Sequence, residues 1–294
     1  MNLHDIYNNV RSIPSYSSKI NDFLRQNPSS SLFRKVRHKF PRRRIKAFFP
    51  FHLMMSDTIN YRNYASENRK YGYVMILIDV FSKRLFAHAM KKMNEFDSTI
   101  AMEKMVNRVP DMPKMIATDS GTEYYNSRMQ NLFKRFGIKH YSLGGKHKAS
   151  VAERVIKTLK SRLEKYFWQN KTHNWVDVLD QFVDNYNATY HRSIKMAPND
   201  VNDDNRALVF KNLYPRLNDR TPPRLNQGDR VRLLKSKHIF EKGYSRSWSL
   251  ETYIIKRAFS DSGVDYYEIE DLAGNILTRK KYFWELNLIS KYVN

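Results

Sequence analysis

Between residues 51 and 200, short apolar runs alternate with longer stretches in which apolar residues recur every three or four positions. The runs "FHLMMSD" (51–57), "YVMILIDV" (73–80), "KRLFAHAM" (83–90), "KMIATD" (114–119) and "IKHYSL" (138–143) read as strands. "NEFDSTIAMEKMVNR" (94–108) and "EYYNSRMQNLFKRF" (123–136) read as helices. This alternation predicts an α/β domain. The second and third runs, joined by "FSK", predict an antiparallel pair. "KMIATD" follows a helix and is expected to enter the sheet parallel to an earlier strand. Two long helices are predicted over 150–168 and 174–190, the second ending before Pro198.

Outside this region the pattern changes twice. Residues 203–227 hold Asn, Asp, Arg and prolines with little periodicity and read as a linker. From Gly228 onward, "DRVRLLK", "SLETYIIKRA", "DYYEIED" and "NILTRKKYF" are strand-like and punctuated by "SDSG" and "LAGN", the spacing of a small barrel. The expected division is a basic N-terminal region at 1–49, an α/β core at 50–202, the linker at 203–227 and a small β-barrel at 228–294.

Charge narrows the class of partner. Lys and Arg number 52 against 29 Asp and Glu, a net +23, which points to nucleic acid. The excess is concentrated in "RKVRHKFPRRRIK" (34–46), where 8 of 13 residues are basic, including Arg42, Arg43 and Arg44. Such a run reads as a phosphate-contacting arm, with a solvated linker as the plainer alternative. No segment reaches the roughly eighteen apolar residues of a membrane span, and "MNLHDIYNNV" has no signal-peptide core, so a soluble protein is expected. With no cysteine, disulfides, Cys-ligated zinc and thiol catalysis are excluded for this chain. The aromatic residues are expected mainly in cores, including the cluster "YFW" at 282–284.

Three acids stand where open sheets hold active sites: Asp57 closing "FHLMMSD", Asp119 closing "KMIATD", and Glu153 in the first turn of the helix opening near "KASVAERV". Each alone is equally a turn, cap or dipole residue. Two strand-end carboxylates with a third on a facing helix are the minimum that holds two divalent cations.

The segments "TDSGTEYYN", "SLGGKHKAS" and "VAERVIKTLKSRL" resemble the second half of a retroviral-type integrase core, a member of the RNase H-like polynucleotidyl transferases. "HKASVAERVIKTLKSRLEKYF" and "NATYHRSIKMAPNDV" resemble integrases of Maverick or Polinton DNA transposons and related virus-like elements. The resemblance spans about residues 50 to 200. It implies a mixed five-stranded RNase H-like sheet flanked by helices, followed by an SH3-like or chromo-like barrel. It also implies two Mg²⁺ or Mn²⁺ ions held by Asp57, Asp119 and Glu153. The zinc-binding His-His-Cys-Cys module that many such integrases carry before the core is not expected on a chain without cysteine, and either lies on a missing segment or is replaced by the basic arm. Asp79, in "ILIDVFSK", is the alternative to Asp57, and Ser120 departs from the family's usual Asn or Gln.

The activity implied is 3′-end processing and strand transfer of element DNA into target DNA by a homo-oligomer. Two metals about 4 Å apart would stabilise the attacking and leaving oxygens. Lys157 and Lys160, one and two turns beyond Glu153, match positions that contact element ends, and Lys146 and Lys148 flank them in the glycine-containing loop. His140 and His147 are left without a role. The family implies action in a host nucleus or virus-like particle. A DNA-binding derivative without catalysis is the alternative, and a nucleic-acid packaging protein a third reading that explains the charge but not the carboxylates.

Overall fold

Strand β2, Tyr73–Asp79, is buried at every position, which requires cover on both faces of its sheet. The computed structural model describes residues 28–142, 150–215, 217, 222–236 and 245–290. They fall into two compact units, one of Ile45–Pro215 and one that joins Met1–Arg44 to Arg216–Asn294.

In the larger unit β1 (Leu53–Asn60), β2, β3 (Leu85–Met90), β4 (Met115–Thr118) and β5 (Lys139–Ser142) form one sheet in the order β3-β2-β1-β4-β5. β1, β2 and β3 pair antiparallel, while β4 and β5 join β1 in parallel. The doublet at 73–90 and the parallel entry of "KMIATD" are therefore as the pattern predicts. Helices α2 (Glu95–Val106) and α3 (Ser127–Arg135) cover one face, packing Met102, Met105, Met129 and Phe133 on Met54 and Met75. Helices α4 (Ser150–Asn170), α5 (Leu179–Ala188) and α6 (Arg206–Leu213) cover the other, on Leu53, Met55 and Ile76. Helix α4 buries Ala152, Val155, Leu159, Leu163 and Phe167, a stripe at three and four spacing.

Several boundaries differ from the sequence expectation for local reasons. β1 continues three residues past Asp57, so that acid lies within the strand rather than at its end. α3 starts at Ser127 because the Asn126 side chain accepts the Met129 N–H at 2.9 Å and caps the helix there. α5 starts only at Leu179 because the Trp175 and Val176 N–H groups are taken by Asn68 Oδ1, at 2.7 and 3.0 Å. Residues 206–213, within the stretch read as a linker, are helical, and Val209 and Leu213 are buried in the larger unit.

The smaller unit carries a second sheet, antiparallel throughout, of β6 (Arg230–Leu233), β7 (Tyr253–Asp261), β8 (Val264–Glu270), β9 (Lys281–Tyr282) and β10 (Leu286–Ser290), in the order β10-β6-β7-β8-β9. Its core is Leu225, Val231, Ile255, Tyr267, Ile269 and Leu286. A short helix, α1 (Pro28–Phe33), and the basic stretch after it belong to this unit. Asn287 Nδ2 donates to Ser31 O at 2.7 Å, Trp248 Nε1 to Arg34 O at 2.8 Å, and Arg34 Nη1 to Asn287 Oδ1 at 3.0 Å. Further along, Arg37 stacks on Trp284 at 4.5 Å, Arg42 on Phe40 at 5.1 Å and Arg43 on Tyr266 at 4.1 Å. Tyr282 is buried and Phe283 packs against the core, while Trp284 also meets Arg224. Among the described residues no helix is long and apolar enough to cross a membrane.

β3 is an edge strand, and the larger unit closes that edge with a side chain. Asn187 of α5 accepts the Leu85 N–H and donates to the Leu85 carbonyl, both at 2.8 Å, as a neighbouring strand would. Replacing Asn187 by Ala leaves two buried backbone groups unpartnered. It should cost about 2–4 kcal/mol of unfolding free energy, read from urea denaturation.

Candidate active site

The last parallel pairs between β1 and β4 include Met55↔Ala117. Counting two residues onward along each chain reaches Asp57 and Asp119. Because strand side chains alternate, both acids take the face of Met55 and Ala117, the face covered by α4. The third acid is on that helix, in its first turn. Asp57 and Glu153 line one cleft of about 510 Å³ with Ile156, Lys157, Lys160, Ser161 and Glu164.

Electrostatics shows the same convergence. Burial pushes the Asp57 carboxyl above its ordinary range, and the charges of Asp119, Glu153 and Glu123 push it further, against a hydrogen bond of 2.7 Å from the Thr58 N–H. Glu123 is a fourth acid that sequence reading did not nominate. Its carboxylate folds back over Gly121, where an added Cβ would lie 2.2 Å from Glu123 Oε2. Asp119 Oδ1 accepts the Gly121 N–H at 3.1 Å, and Ser120 bonds Ser142 of β5 at 2.8 Å between hydroxyls.

Asp79 is placed elsewhere. It pairs with Met54, three residues and about 10 Å of strand from Asp57, and shares the face of Met75 and Leu77 rather than that of Asp57. It is fully buried and accepts Phe81 N, Ser82 N and Ser82 Oγ at 3.1, 2.8 and 2.6 Å, holding the turn into β3. The structure thus gives Asp79 a turn to hold, not a cleft to line.

Among the described residues no three His, Asp or Glu side chains stand close enough as placed to hold a metal ion. The donor chemistry nevertheless fits a divalent cation: the ligands on offer are hard carboxylate oxygens, and the charges of Asp119, Glu153 and Glu123 that help to raise Asp57 are what such a cation would offset. Lys146 and Lys148 lie outside the described residues. Arg42, Arg43 and Arg44 belong to the other unit. Lys157 and Lys160 are exposed on the cleft, with Lys160 Nζ 6.0 Å from the Tyr61 ring centre.

With this geometry in view, residues 50–144 match the integrase core domain family, a span that holds Asp57 and Asp119 and ends before Glu153. An uncharacterised transposon-derived protein of Caenorhabditis elegans is 29% identical over 191 residues, covering 65% of this chain and 65% of that protein. The match thus spans about two thirds of that relative's length. A chain of the simian T-cell lymphotropic virus intasome, solved in complex with the PP2A regulatory subunit B56 gamma, shares the fold. Its TM-score is 0.62 at 17% identity, over 93% of this chain and 90% of that one. The magnesium-bound HTLV-2 integrase catalytic core is also similar, with a TM-score of 0.44 at 18% identity over 52% of this chain and 97% of that one. The mixed sheet with its flanking helices thus matches the RNase H-like fold of an integrase core.

His140, without a role in the sequence reading, packs against Phe133 and Tyr125, with ring centres 4.7 Å apart in each case. Its Nε2 bonds Thr118 Oγ1 at 3.0 Å and its Nδ1 meets Gln130 Nε2 at 2.9 Å. Burial holds its pKa below the ordinary value. The neutral ring is therefore favoured in the fold, and its stabilising contribution is full above the unfolded pKa, about 6.5, and lost as pH falls through the folded value. Urea unfolding from pH 7 to 5 should show a steeper loss of stability for the native chain than for His140→Gln.

Proposed function

We propose that the chain is a DNA integrase. It would trim element ends and join their 3′-hydroxyls to target DNA, using Mg²⁺ or Mn²⁺ held by Asp57, Asp119 and Glu153. The observation that carries this reading is the parallel register, which brings Asp57 and Asp119 level on the face covered by α4, the helix of Glu153. Bound there, two such ions would activate a water or 3′-hydroxyl and stabilise the leaving oxygen of an in-line displacement.

The chain's own residues supply the rest. Three carboxylates bring negative charge that no phosphodiester tolerates beside it without a cation. Lys157 and Lys160 at the same cleft offer two cationic contacts to the DNA backbone without repelling the acids. Lys146 and Lys148, and Arg42, Arg43 and Arg44 beside the second sheet, are assigned to the same duplex. We read that sheet as an SH3-like or chromo-like module. The proposed setting is a Maverick or Polinton-like element or a related virus, and pairing two element ends calls for a homo-oligomer acting in a host nucleus or virus-like particle.

The test is incubation of purified protein with a labelled duplex of the element terminus and a plasmid target, with Mg²⁺, Mn²⁺ or EDTA. Metal-dependent joined products should fall by roughly two to three orders of magnitude in Asp57→Asn, Asp119→Asn and Glu153→Gln, the scale of losing a group that stabilises transition-state charge. Asp79→Asn should keep the chemistry and lose stability instead. Tight DNA binding without any joined or nicked product would replace this reading by the DNA-binding derivative. Separately, Lys157→Ala should weaken binding similarly on all DNA sequences and reduce the salt slope by about one, measured by fluorescence anisotropy across salt.

A further inference from the structure

The pairing of β1 with β4 that brings Asp57 and Asp119 level stops at Met55↔Ala117, before either acid. The two acids therefore sit on backbone that no ladder bond between these strands holds. Something else must keep their spacing, and the structure supplies it from the opposite face of the sheet.

Strand alternation turns Ser56 and Thr58, the neighbours of Asp57, and Thr118, the neighbour of Asp119, to the face packed with methionines and phenylalanines. There the Tyr124 hydroxyl lies 3.1 Å from Ser56 Oγ and 3.3 Å from Thr58 Oγ1, so one phenol straddles Asp57. The Tyr124 carbonyl accepts one hydrogen of Gln130 Nε2 at 3.0 Å, and the other goes to His140 Nδ1 at 2.9 Å. His140 Nε2 meets Thr118 Oγ1 at 3.0 Å, and Thr118 Oγ1 donates to the Asp119 carbonyl at 2.7 Å.

The hydrogens of this chain can be placed in one consistent way. Thr118 spends its hydroxyl hydrogen on Asp119, so the neutral His140 ring donates from Nε2 and accepts at Nδ1. Ser56 spends its own on the Ile76 carbonyl at 2.8 Å, so it accepts from Tyr124. The result is a continuous chain of contacts from Asp119 through β5 and α3 to both sides of Asp57.

Ser56, Thr118 and Tyr124 are all fully buried. Apolar residues of the same size would fill this face without desolvating three hydroxyls, so stability alone does not account for them. A satisfied polar network specifies geometry more narrowly than apolar packing does.

We infer that Tyr124, Gln130 and His140 are positioning residues that fix the spacing of Asp57 and Asp119 for divalent-cation binding. The inference rests on the integrase reading of those two acids, and it adds a device that sets their separation from behind.

Metal binding by the full chain without DNA tests it, with Mn²⁺ as the probe and the signal of the free ion read by electron paramagnetic resonance. Asp119→Asn should abolish the site. Tyr124→Phe, which removes one oxygen, should raise the half-saturating Mn²⁺ concentration about 10-fold or more, the range for residues that orient metal ligands. Gln130→Met, an exposed change that spares the core, should weaken binding in the same direction and serves if Tyr124→Phe does not fold. Met105→Ala, a cavity in the same core at a residue that takes no part in the chain of hydrogen bonds, should lower thermal stability and leave Mn²⁺ binding unchanged. Wild-type Mn²⁺ binding by both Tyr124→Phe and Gln130→Met, with Asp119→Asn still defective, would overturn the inference alone. Binding that is absent from the native chain or indifferent to Asp119→Asn would overturn the reading beneath it and the inference together.

Discussion

The parallel pairing of β1 with β4 is the constraint on which the candidate site depends. A parallel register is set by a crossover, here the connection through β2, β3 and α2, and cannot be adjusted locally. Once Met55 stands beside Ala117, the period of two in each strand decides that Asp57 and Asp119 arrive on the same face. A slip of one residue in either strand would send one acid to the face of Met54 and the other to that of α4. The buried residues on both faces of the sheet, Met54 and Ile116 on one side and Met55 and Ala117 on the other, make such a slip costly.

The charge distribution follows the same layering. The charges of Asp119, Glu153 and Glu123 add to burial in raising the Asp57 carboxyl, while Lys157 and Lys160 of α4 line the cleft beside it. The smaller unit handles its excess charge differently. Arg37 and Arg43 lie over Trp284 and Tyr266, 4.5 and 4.1 Å from their ring centres, and Lys280 sits 4.0 Å from the Phe259 ring centre. A guanidinium stacked on a ring keeps its hydrogen-bonding edge available, so a basic segment can join a folded unit without losing its capacity for phosphate.

The two faces of the larger sheet therefore have different work. The α4 face carries Asp57, Glu153 and the lysines of the cleft. The α2–α3 face, packed with methionines and phenylalanines, carries the hydrogen bonds through Ser56, Tyr124, Gln130, His140 and Thr118. Asp57 and Asp79 show the distinction most directly. They lie on neighbouring strands and are both acids of short apolar runs, yet one faces a cleft and the other closes a turn with three hydrogen bonds.

Local pattern alone determined that residues 51–142 alternate strand and helix, that 73–90 is an antiparallel doublet, and that acids stand at positions 57, 119 and 153, because periodicity and composition are properties of neighbouring residues. It left Asp79 open against Asp57, since choosing between them needs the pairing partner of each. It did not show the helix at 206–213, whose eight residues "RALVFKNL" have almost no apolar periodicity and are held by Val209 and Leu213 in the core. Nor could it show that residues 31–43 join the second sheet, because the groups that receive them, Asn287, Trp248, Trp284 and Tyr266, lie more than two hundred residues away. Tyr124, Gln130 and His140 are unremarkable in sequence for the same reason. Only the tertiary structure decided what they do, since hydrogen bonds act over about 3 Å and it is the folding of β1, α3, β4 and β5 against one another that brings those atoms within reach.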